Sequence, residues 1–220
     1  MFVAGLVVLA YAVGSIPSGY LLVRAFRGAD VRDYGSHSVG AINVCRRGGL
    51  ALGMTALAGD AAKALAMVEL VWAATAHPWA LVLSGLAVMV GHAYSAWFYL
   101  RERRFSGGKS VASGLGCLLG MVAVGVVPWP AAVVPVGVWL GAILAPRLLA
   151  GRWFPISPAT LLATVSVPVT LRLTAPNPAY WAFGVGMAAL ITVRHQDNLR
   201  RLLAGTEPNA EEVFRCRSGG

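Results

Sequence analysis

The sequence predicts an all-α, polytopic membrane protein with about seven transmembrane helices. Of its 220 residues, 57% are hydrophobic and 12% are charged, and the mean hydropathy is +0.68. A soluble domain usually carries about 25% charged residues, so this chain has too little charge to cover a surface that faces water. Disorder is excluded because it requires few apolar residues and much charge. The class that remains is a bundle of membrane helices.

Seven apolar stretches can serve as spans, since a helix needs about 20 apolar residues to cross a bilayer core. In chain order they lie near Phe2–Val23, Leu50–Ala74, Trp79–Leu100, Val111–Val127, Ala131–Ala145, Pro155–Leu171 and Pro178–Val193. Charged residues or turn residues occupy every break between them. These spans leave no room for a separate soluble domain, so the sequence predicts one integral-membrane domain over residues 1–220.

The basic residues fall on one side of the predicted bundle. Of the 18 Lys and Arg residues, 16 lie in the first, third and fifth connections or in the C-terminal tail, whereas Lys63 lies within a span and Arg172 on the opposite side. Cytoplasmic loops of membrane proteins carry an excess of Lys and Arg. The sequence therefore predicts a cytoplasmic C-terminus and an external N-terminus. The net charge of +9 is a topology signal of this kind, and no nucleic-acid partner is expected.

Two glycine-rich loops on this side have the composition of anion sites. In the segment from Gly35 to Arg46, glycine and serine open the backbone so that successive N–H groups can surround an anion, and the Arg46 guanidinium suits phosphate oxygens. A flexible loop that only carries topology charges is the alternative. The second loop, Phe105–Ser110, precedes a helix, and its Gly-Lys-Ser ending is similar to a P-loop. That motif requires glycine where the chain has Arg103, so an ATPase is excluded.

Two further polar patches involve the predicted spans themselves. Asp60 and Lys63 lie three residues apart on one helix face, where a structural ion pair and a functional role are both open. The segment 194–201 follows the last span and is either a basic stop signal that touches anionic lipid or a ligand site, because His195 and Asn198 share a helix face. His92, inside the third span, is expected to be a helix-packing residue.

The chain lacks the sequence patterns of metal and acyl-enzyme chemistry. No set of His, Asp, Glu or Cys residues has zinc-ligand spacing, and the GxSxG nucleophile motif is absent. The two glycine-rich loops, with Arg46, Lys109 and His195 on one membrane face, instead indicate a site for two phosphate groups at the cytoplasmic interface. The surrounding helices offer an apolar space for acyl chains.

Six short motifs, in order along nearly the whole chain, resemble those of one enzyme family. They are Gly14-Ser15-Ile16-Pro17-Ser18-Gly19-Tyr20-Leu21; Gly35-Ser36 with Gly40-Ala41, Asn43-Val44 and Arg46; Asp60 with Lys63; Gly91-His92; Phe105 with Gly107-Gly108-Lys109 and Val111-Ala112; and Arg194-His195 with Asn198, Arg200-Arg201-Leu202 and Gly205-Thr206-Glu207. In these motifs the chain is similar to the bacterial acyl-phosphate:glycerol-3-phosphate acyltransferases, the PlsY family.

The resemblance implies an activity, a location and a set of site residues. Such an enzyme transfers a fatty acyl group from acyl phosphate to the 1-hydroxyl of glycerol 3-phosphate, giving lysophosphatidic acid and phosphate for phospholipid biosynthesis, without a metal or other cofactor. It is a multi-pass protein of the bacterial inner membrane, surrounded by membrane lipids, with a cytoplasmic active site. The resemblance assigns catalysis and glycerol 3-phosphate binding to Ser36, Arg46, Lys109, His195 and Asn198. It assigns the acyl-phosphate head to Gly35, His37, Ser38, Gly40, Ala41, Asn43, Gly107 and Gly108. The donor's own phosphate is expected to accept the hydroxyl proton.

Several positions depart from the family pattern. In the first loop His37, Ser38 and Ile42 stand where Gly, Asn and Thr are usual, and elsewhere Ser110, Ala64 and Ser95 replace Gly, Gly and Pro. Position 37 is the most unusual, because a non-glycine residue resists a positive φ. These departures leave open a divergent paralogue that binds lipid without catalysis. The basic, glycine-rich set would also suit a small organic-phosphate transporter, although its polar groups cluster at one face.

Overall fold

The structure, a computed structural model, describes residues 1–211, and the regular elements in that range are helices. In chain order they are α1 (Phe2–Gly14), α2 (Ser18–Arg27), α3 (Ala41–Gly48), α4 (Leu50–Thr75), α5 (Pro78–Ala93), α6 (Ala96–Glu102), α7 (Val111–Ala123), α8 (Pro130–Ala150), α9 (Ile156–Thr174), α10 (Pro178–Arg194) and α11 (Gln196–Leu203). One 3-10 turn, Val31–Asp33, lies between α2 and α3. The all-α prediction is confirmed for this part of the chain.

Five helical segments of the described chain are long and apolar enough to cross a membrane. They are Phe2–Arg27, Leu50–Thr75, Pro78–Glu102, Pro130–Ala150 and Ile156–Thr174. The other two predicted spans correspond to α7, which has 13 residues, and α10, which has 17. Both are shorter than the roughly 20 residues that a straight span requires. The multi-span architecture is confirmed, whereas the count of seven stays a prediction.

Two of the long segments are interrupted, and the two interruptions pack against each other. Between α1 and α2, Pro17 lacks a backbone N–H and disfavours helix in the residue before it. Between α5 and α6, Ser95 Oγ donates a hydrogen bond to the Ser15 carbonyl, and Ala96 N donates to Ser15 Oγ at 3.2 Å. A proline at position 95 has no hydroxyl to donate. The serine at this position therefore ties the two interruptions together.

Small residues let the helices of the bundle approach closely. A Cβ on Gly14 of α1 would lie 2.1 Å from the Val88 carbonyl oxygen of α5, and a Cβ on Gly116 of α7 would lie 2.1 Å from the Ala61 carbonyl oxygen of α4. Backbone contact of this kind is how membrane helices gain packing energy without a hydrophobic driving force. The packing brings the polar ends of α3, α7, α9 and α10 together, and Arg172 lies near the far end of α9.

Candidate active site

Asn43 holds the conformation of residues 34–40, the first glycine-rich loop, which lies between the 3-10 turn and α3. Its amide nitrogen donates to the carbonyl oxygens of Val31, Tyr34 and Ser38 at 2.8–2.9 Å, and its Oδ1 accepts from Ser36 N at 3.1 Å. The residue is 1% exposed. With its amide groups bonded to the backbone, Asn43 holds the first loop in shape, and its assignment to the acyl-phosphate head stays a prediction.

Two residues of this first loop have a left-handed backbone. Gly35 has φ +56° and His37 has φ +53°, so the prediction that position 37 requires an unusual conformation for a side-chain-bearing residue is confirmed. His37 Nδ1 lies 2.7 Å from the Arg32 carbonyl oxygen. That hydrogen bond offsets part of the strain that histidine causes where glycine is usual.

Ser38 and Arg46 connect the first loop to the rest of the polar end. Ser38 Oγ accepts from Gly40 N at 3.3 Å and lies 3.4 Å from the carbonyl oxygen of Gly107, in the second loop. Arg46, in the last turn of α3, reaches back along the first loop, and its Nη1 lies 3.6 Å from where a Cβ on Gly35 would be. The two glycine-rich loops therefore meet, with the Arg46 guanidinium beside the first.

The glycines of the second loop contact the end of α5. A Cβ on Gly107 would lie 2.3 Å from the His92 carbonyl oxygen and 2.4 Å from that of Ala93. A Cβ on Gly108 would lie 2.0 Å from His92 Nε2. Both glycines are buried. Their close approach is to the end of α5, and their assignment to the acyl-phosphate head stays a prediction.

Ser110 ends the second loop and leads into α7. It is fully buried, has φ +61° and donates from Oγ to the Met89 carbonyl oxygen at 2.7 Å. The serine that replaces the usual glycine therefore gains a hydrogen bond in return for a left-handed conformation. It also fixes the backbone next to Lys109.

Lys109 lies at the centre of a polar network at the end of the bundle. Its Nζ donates to Asn198 Oδ1 at 2.5 Å, and the Asn198 amide nitrogen donates at 2.7 Å to both Ser157 Oγ and Glu207 Oε1. Arg201 Nε donates to Glu207 Oε2 at 2.8 Å. Burial alone would raise the pKa of the Glu207 carboxyl, but hydrogen bonds from Ser157, Asn198 and Arg201 lower that pKa below its usual value. The network fixes the direction of the Asn198 amide.

His195 is held as a neutral imidazole next to this network. It is 3% exposed, and its Nδ1 lies 2.8 Å from the Ile191 carbonyl oxygen, which makes Nδ1 the donor. Burial, followed by the positive charge of Lys109, lowers the pKa of His195 to about 4. Its Nε2 is then the acceptor nitrogen of the ring at neutral pH.

Positive charge dominates the surroundings of Lys109. Burial is the main cause that lowers the pKa of Lys109 to about 8, and the charges of Arg201, Arg46 and Arg194 lower it further, whereas Glu207 acts in the opposite direction. Four basic side chains near one carboxylate produce a local excess of positive charge around the partly buried Lys109. Such an excess favours a ligand with more than one negative charge.

The structure brings most of the predicted catalytic residues together. Arg46, Lys109, His195 and Asn198 interact through the contacts and charges described above, and Ser36 lies beside Gly35 in the loop that Arg46 follows. Gly40 and Ala41 form the start of α3. The network also contains residues that the sequence analysis did not assign to the site: Ser157, Arg194, Arg201 and Glu207. Three of these lie within the C-terminal motif, whereas Ser157 carries no sequence signal.

The described residues include no group of three or more His, Cys, Asp or Glu side chains that could hold a metal ion.

Comparisons with known proteins agree on one family. The family model for glycerol-3-phosphate acyltransferase matches residues 4–205. A protein named glycerol-3-phosphate acyltransferase from Synechococcus sp. (strain JA-2-3B'a(2-13)) is 39% identical over 209 residues, covering 94% of this chain and 95% of the relative. One of the same name from Desulforudis audaxviator (strain MP104C) is 34% identical over 199 residues, covering 90% and 91%.

Two solved structures are similar over the whole fold. The crystal structure of PlsY (YgiH), an integral membrane glycerol 3-phosphate acyltransferase, in the glycerol 3-phosphate form has a TM-score of 0.83 and 30% identity, covering 98% of this chain and 100% of that chain. The lysophosphatidic acid form has a TM-score of 0.81 and 28% identity, covering 97% and 99%.

Proposed function

Because this chain belongs to the glycerol-3-phosphate acyltransferase family, we propose that its polar site transfers a fatty acyl group from an acyl phosphate to the 1-hydroxyl of glycerol 3-phosphate. The chain is a glycerol-3-phosphate acyltransferase of phospholipid biosynthesis, and its product is lysophosphatidic acid. Family membership decides against the organic-phosphate transporter.

The observation that carries the proposal is the cluster of positive charge around Lys109. The lysine is partly buried, its pKa is lowered to about 8, and its amine is directed at Asn198. Arg46 and the first loop lie beside it. Both substrates carry phosphate, and buried, pre-oriented cations stabilise such groups more strongly than exposed ones do.

In the proposed arrangement, Lys109, Arg46 and the Ser36 hydroxyl bind the phosphate of glycerol 3-phosphate. His195 Nε2 and the second lone pair of Asn198 Oδ1 accept from the glycerol hydroxyls and orient them. The acyl-phosphate head lies against the first loop, where Ser38, Gly40 and Ala41 border the N-terminus of α3, a terminus that favours anions. Gly107 and Gly108 support this surface from behind.

The chemical step needs orientation and charge stabilisation. The 1-hydroxyl oxygen of glycerol 3-phosphate forms a bond to the acyl carbon, the bond from that carbon to the phosphate oxygen breaks, and the hydroxyl proton passes to the departing phosphate. His195, with a pKa of about 4, is too weak a base to take that proton at neutral pH. Holding the reacting atoms in contact supplies the main part of the acceleration.

In the proposed arrangement the chain crosses a bacterial inner membrane seven times, and the site lies on the cytoplasmic side. In this arrangement α7 and α10 complete the five longer spans, and lipid surrounds the bundle. Support comes from the basic residues, since 16 of 18 lie at the polar end or in the tail, with Arg215 and Arg217 of that tail outside the described residues. A C-terminal tag that is labelled in intact cells would contradict this orientation.

One assay tests the proposed activity. Purified protein in detergent is mixed with acyl phosphate and glycerol 3-phosphate, and both phosphate release and lysophosphatidic acid are measured. Equal amounts of the two products support the transfer. Phosphate release that does not depend on glycerol 3-phosphate would indicate hydrolysis and contradict it, and acyl-CoA in place of acyl phosphate serves as the donor control.

A further inference from the structure

Three polar side chains contact one another inside the bundle, behind the proposed substrate-binding residues, and one of them, Lys63, also donates from Nζ to the Ile16 carbonyl oxygen at 2.8 Å. On α4, Lys63 Nζ lies 2.8 Å from Asp60 Oδ1. At the end of α5, His92 Nδ1 lies 3.4 Å from the same oxygen and 3.2 Å from Lys63 Nζ. The side chains of Asp60 and His92 are 2% and 4% exposed. These contacts hold the Nδ1 edge of the His92 ring next to the ion pair.

The opposite edge of that ring faces the second loop. A Cβ on Gly108 would lie 2.0 Å from His92 Nε2, so the ring edge lies directly against the glycine. The backbone makes a second contact, because Gly108 N donates to the His92 carbonyl oxygen at 2.9 Å. One residue of α5 thus contacts Gly108 through both its side chain and its main chain.

Gly108 is also held from the other side. Arg194 Nε, at the end of α10, donates to the Gly108 carbonyl oxygen at 3.1 Å. That carbonyl belongs to the peptide bond between Gly108 and Lys109, and the Lys109 amine donates to Asn198 Oδ1. The position of the lysine amine therefore depends on where His92 and Arg194 place this peptide.

Packing of α4 against α5 does not by itself explain why Asp60, Lys63 and His92 lie inside the bundle. Burying charged groups within a membrane is costly, and small apolar residues already pack the neighbouring helices closely. An ion pair and a hydrogen-bonded imidazole differ from apolar packing because polar contacts fix the orientation of the side chains that they join.

We propose that Asp60, Lys63 and His92 are positioning residues for Lys109. The ion pair orients the imidazole, the imidazole sets the position of Gly108, and Gly108 sets the position of the lysine amine in the phosphate site. The inference rests on the proposed function, since it gives Lys109 a role in binding substrate. A misplacement of about 1 Å in such a site can lower a rate by about 100-fold.

The test removes both charges of the ion pair at once. In the paired variant Asp60→Asn/Lys63→Met no unpaired charge stays buried, so the thermal transition in detergent should stay near that of the wild type. Phosphate release should fall between about 10- and 100-fold. Ser84→Ala is the control, because Ser84 is buried on α5 about two turns before His92 and should leave the rate unchanged.

A double-mutant cycle separates positioning from a general structural effect. The paired substitutions are also made in a Lys109→Ala background, where they should lower the rate less than about twofold, because the group that they position is already gone. The cycle is repeated with dissociation constants for glycerol 3-phosphate, which stay measurable in slow variants. Should the paired variant lose its thermal transition, His92→Gln replaces it in the same cycle.

Each outcome decides the inference. A large loss that shrinks in the Lys109→Ala background supports it. A paired variant with the wild-type rate, or a loss of equal size in both backgrounds, would overturn it. Wild-type protein without transfer activity would contradict the proposed function instead, and the dissociation constants would still decide the inference.

Discussion

Lys109 and Asn198 are 89 residues apart in the sequence, yet Lys109 Nζ donates a 2.5 Å hydrogen bond to Asn198 Oδ1. The other end of the Asn198 amide donates to Ser157 and Glu207, so the amide oxygen is directed at the lysine. One asparagine thus joins the second loop to α9, to α11 and to the segment that follows α11.

Lys109→Ala should lower the rate of phosphate release at least tenfold. The loss of one hydrogen bond to a charged group costs about 1.5–3 kcal/mol, which corresponds to this change in rate. Thermal stability in detergent should stay close to that of the wild type, because a buried cation is removed together with its charge. Arg104→Ala, at an exposed position just before the second loop, is the control and should retain activity. An unchanged rate in Lys109→Ala would exclude the lysine from the site.

The kcat/KM for glycerol 3-phosphate should fall as pH rises through about 8. The pKa of Lys109 is lowered to about 8, so above this pH the free enzyme loses the positive charge that binds phosphate. In Lys109→Arg the guanidinium keeps its charge. That variant should therefore have a lower kcat/KM without the decline near pH 8. The same decline in both proteins would assign it to another group.

Asn198→Asp should lower both thermal stability and activity. It places a carboxylate oxygen where the amide nitrogen now lies 2.7 Å from Glu207 Oε1, and two carboxylates at that distance cannot both stay ionised. Asn177→Asp is a matched control, because Asn177 caps α10 at the opposite end of that helix and aspartate caps equally well. Melting temperatures and initial rates of both variants give the comparison, and equal effects would argue against the network.

His37→Gly and His37→Ala should differ in stability by about 1–2 kcal/mol in favour of glycine. Both variants lose the contact with the Arg32 carbonyl, but only glycine also removes the cost of a left-handed backbone. The combination of His37→Gly with Ile42→Thr restores the usual loop and should keep or raise activity. If the wild type and this double variant were both inactive and folded, the non-catalytic paralogue would be the better description.

Gly107→Ala should abolish most activity, whereas Gly5→Ala should be neutral or slightly stabilising. The added methyl group at position 107 would meet two backbone carbonyl oxygens at 2.3 and 2.4 Å, and backbone cannot move aside as a flexible side chain can. At position 5 nothing lies within 4 Å of the new Cβ, and alanine favours helix over glycine by about 1 kcal/mol. Initial rates and melting temperatures measure both effects.

Much of this arrangement follows from local sequence properties. Too little charge for a water-facing surface predicted the membrane fold, and the unusual residue at position 37 predicted a strained loop, which the φ of His37 confirms. The contact of Gly107 and Gly108 with His92 could not be predicted, because a glycine in a sequence does not tell which surface comes close to it. Ser157 was missed because its partner is 50 residues away.

The sequence by itself determined the class of the protein, the connections between its spans and the residue types of its phosphate site, since composition, hydropathy and motifs are properties of neighbouring residues. Only the tertiary structure decided which polar groups meet. It places Glu207 where it accepts from the Asn198 amide nitrogen, so that the amide oxygen faces Lys109. It also packs the His92 ring against Gly108. These contacts depend on how separate helices pack, because each hydrogen bond requires a distance of about 3 Å that no local pattern encodes.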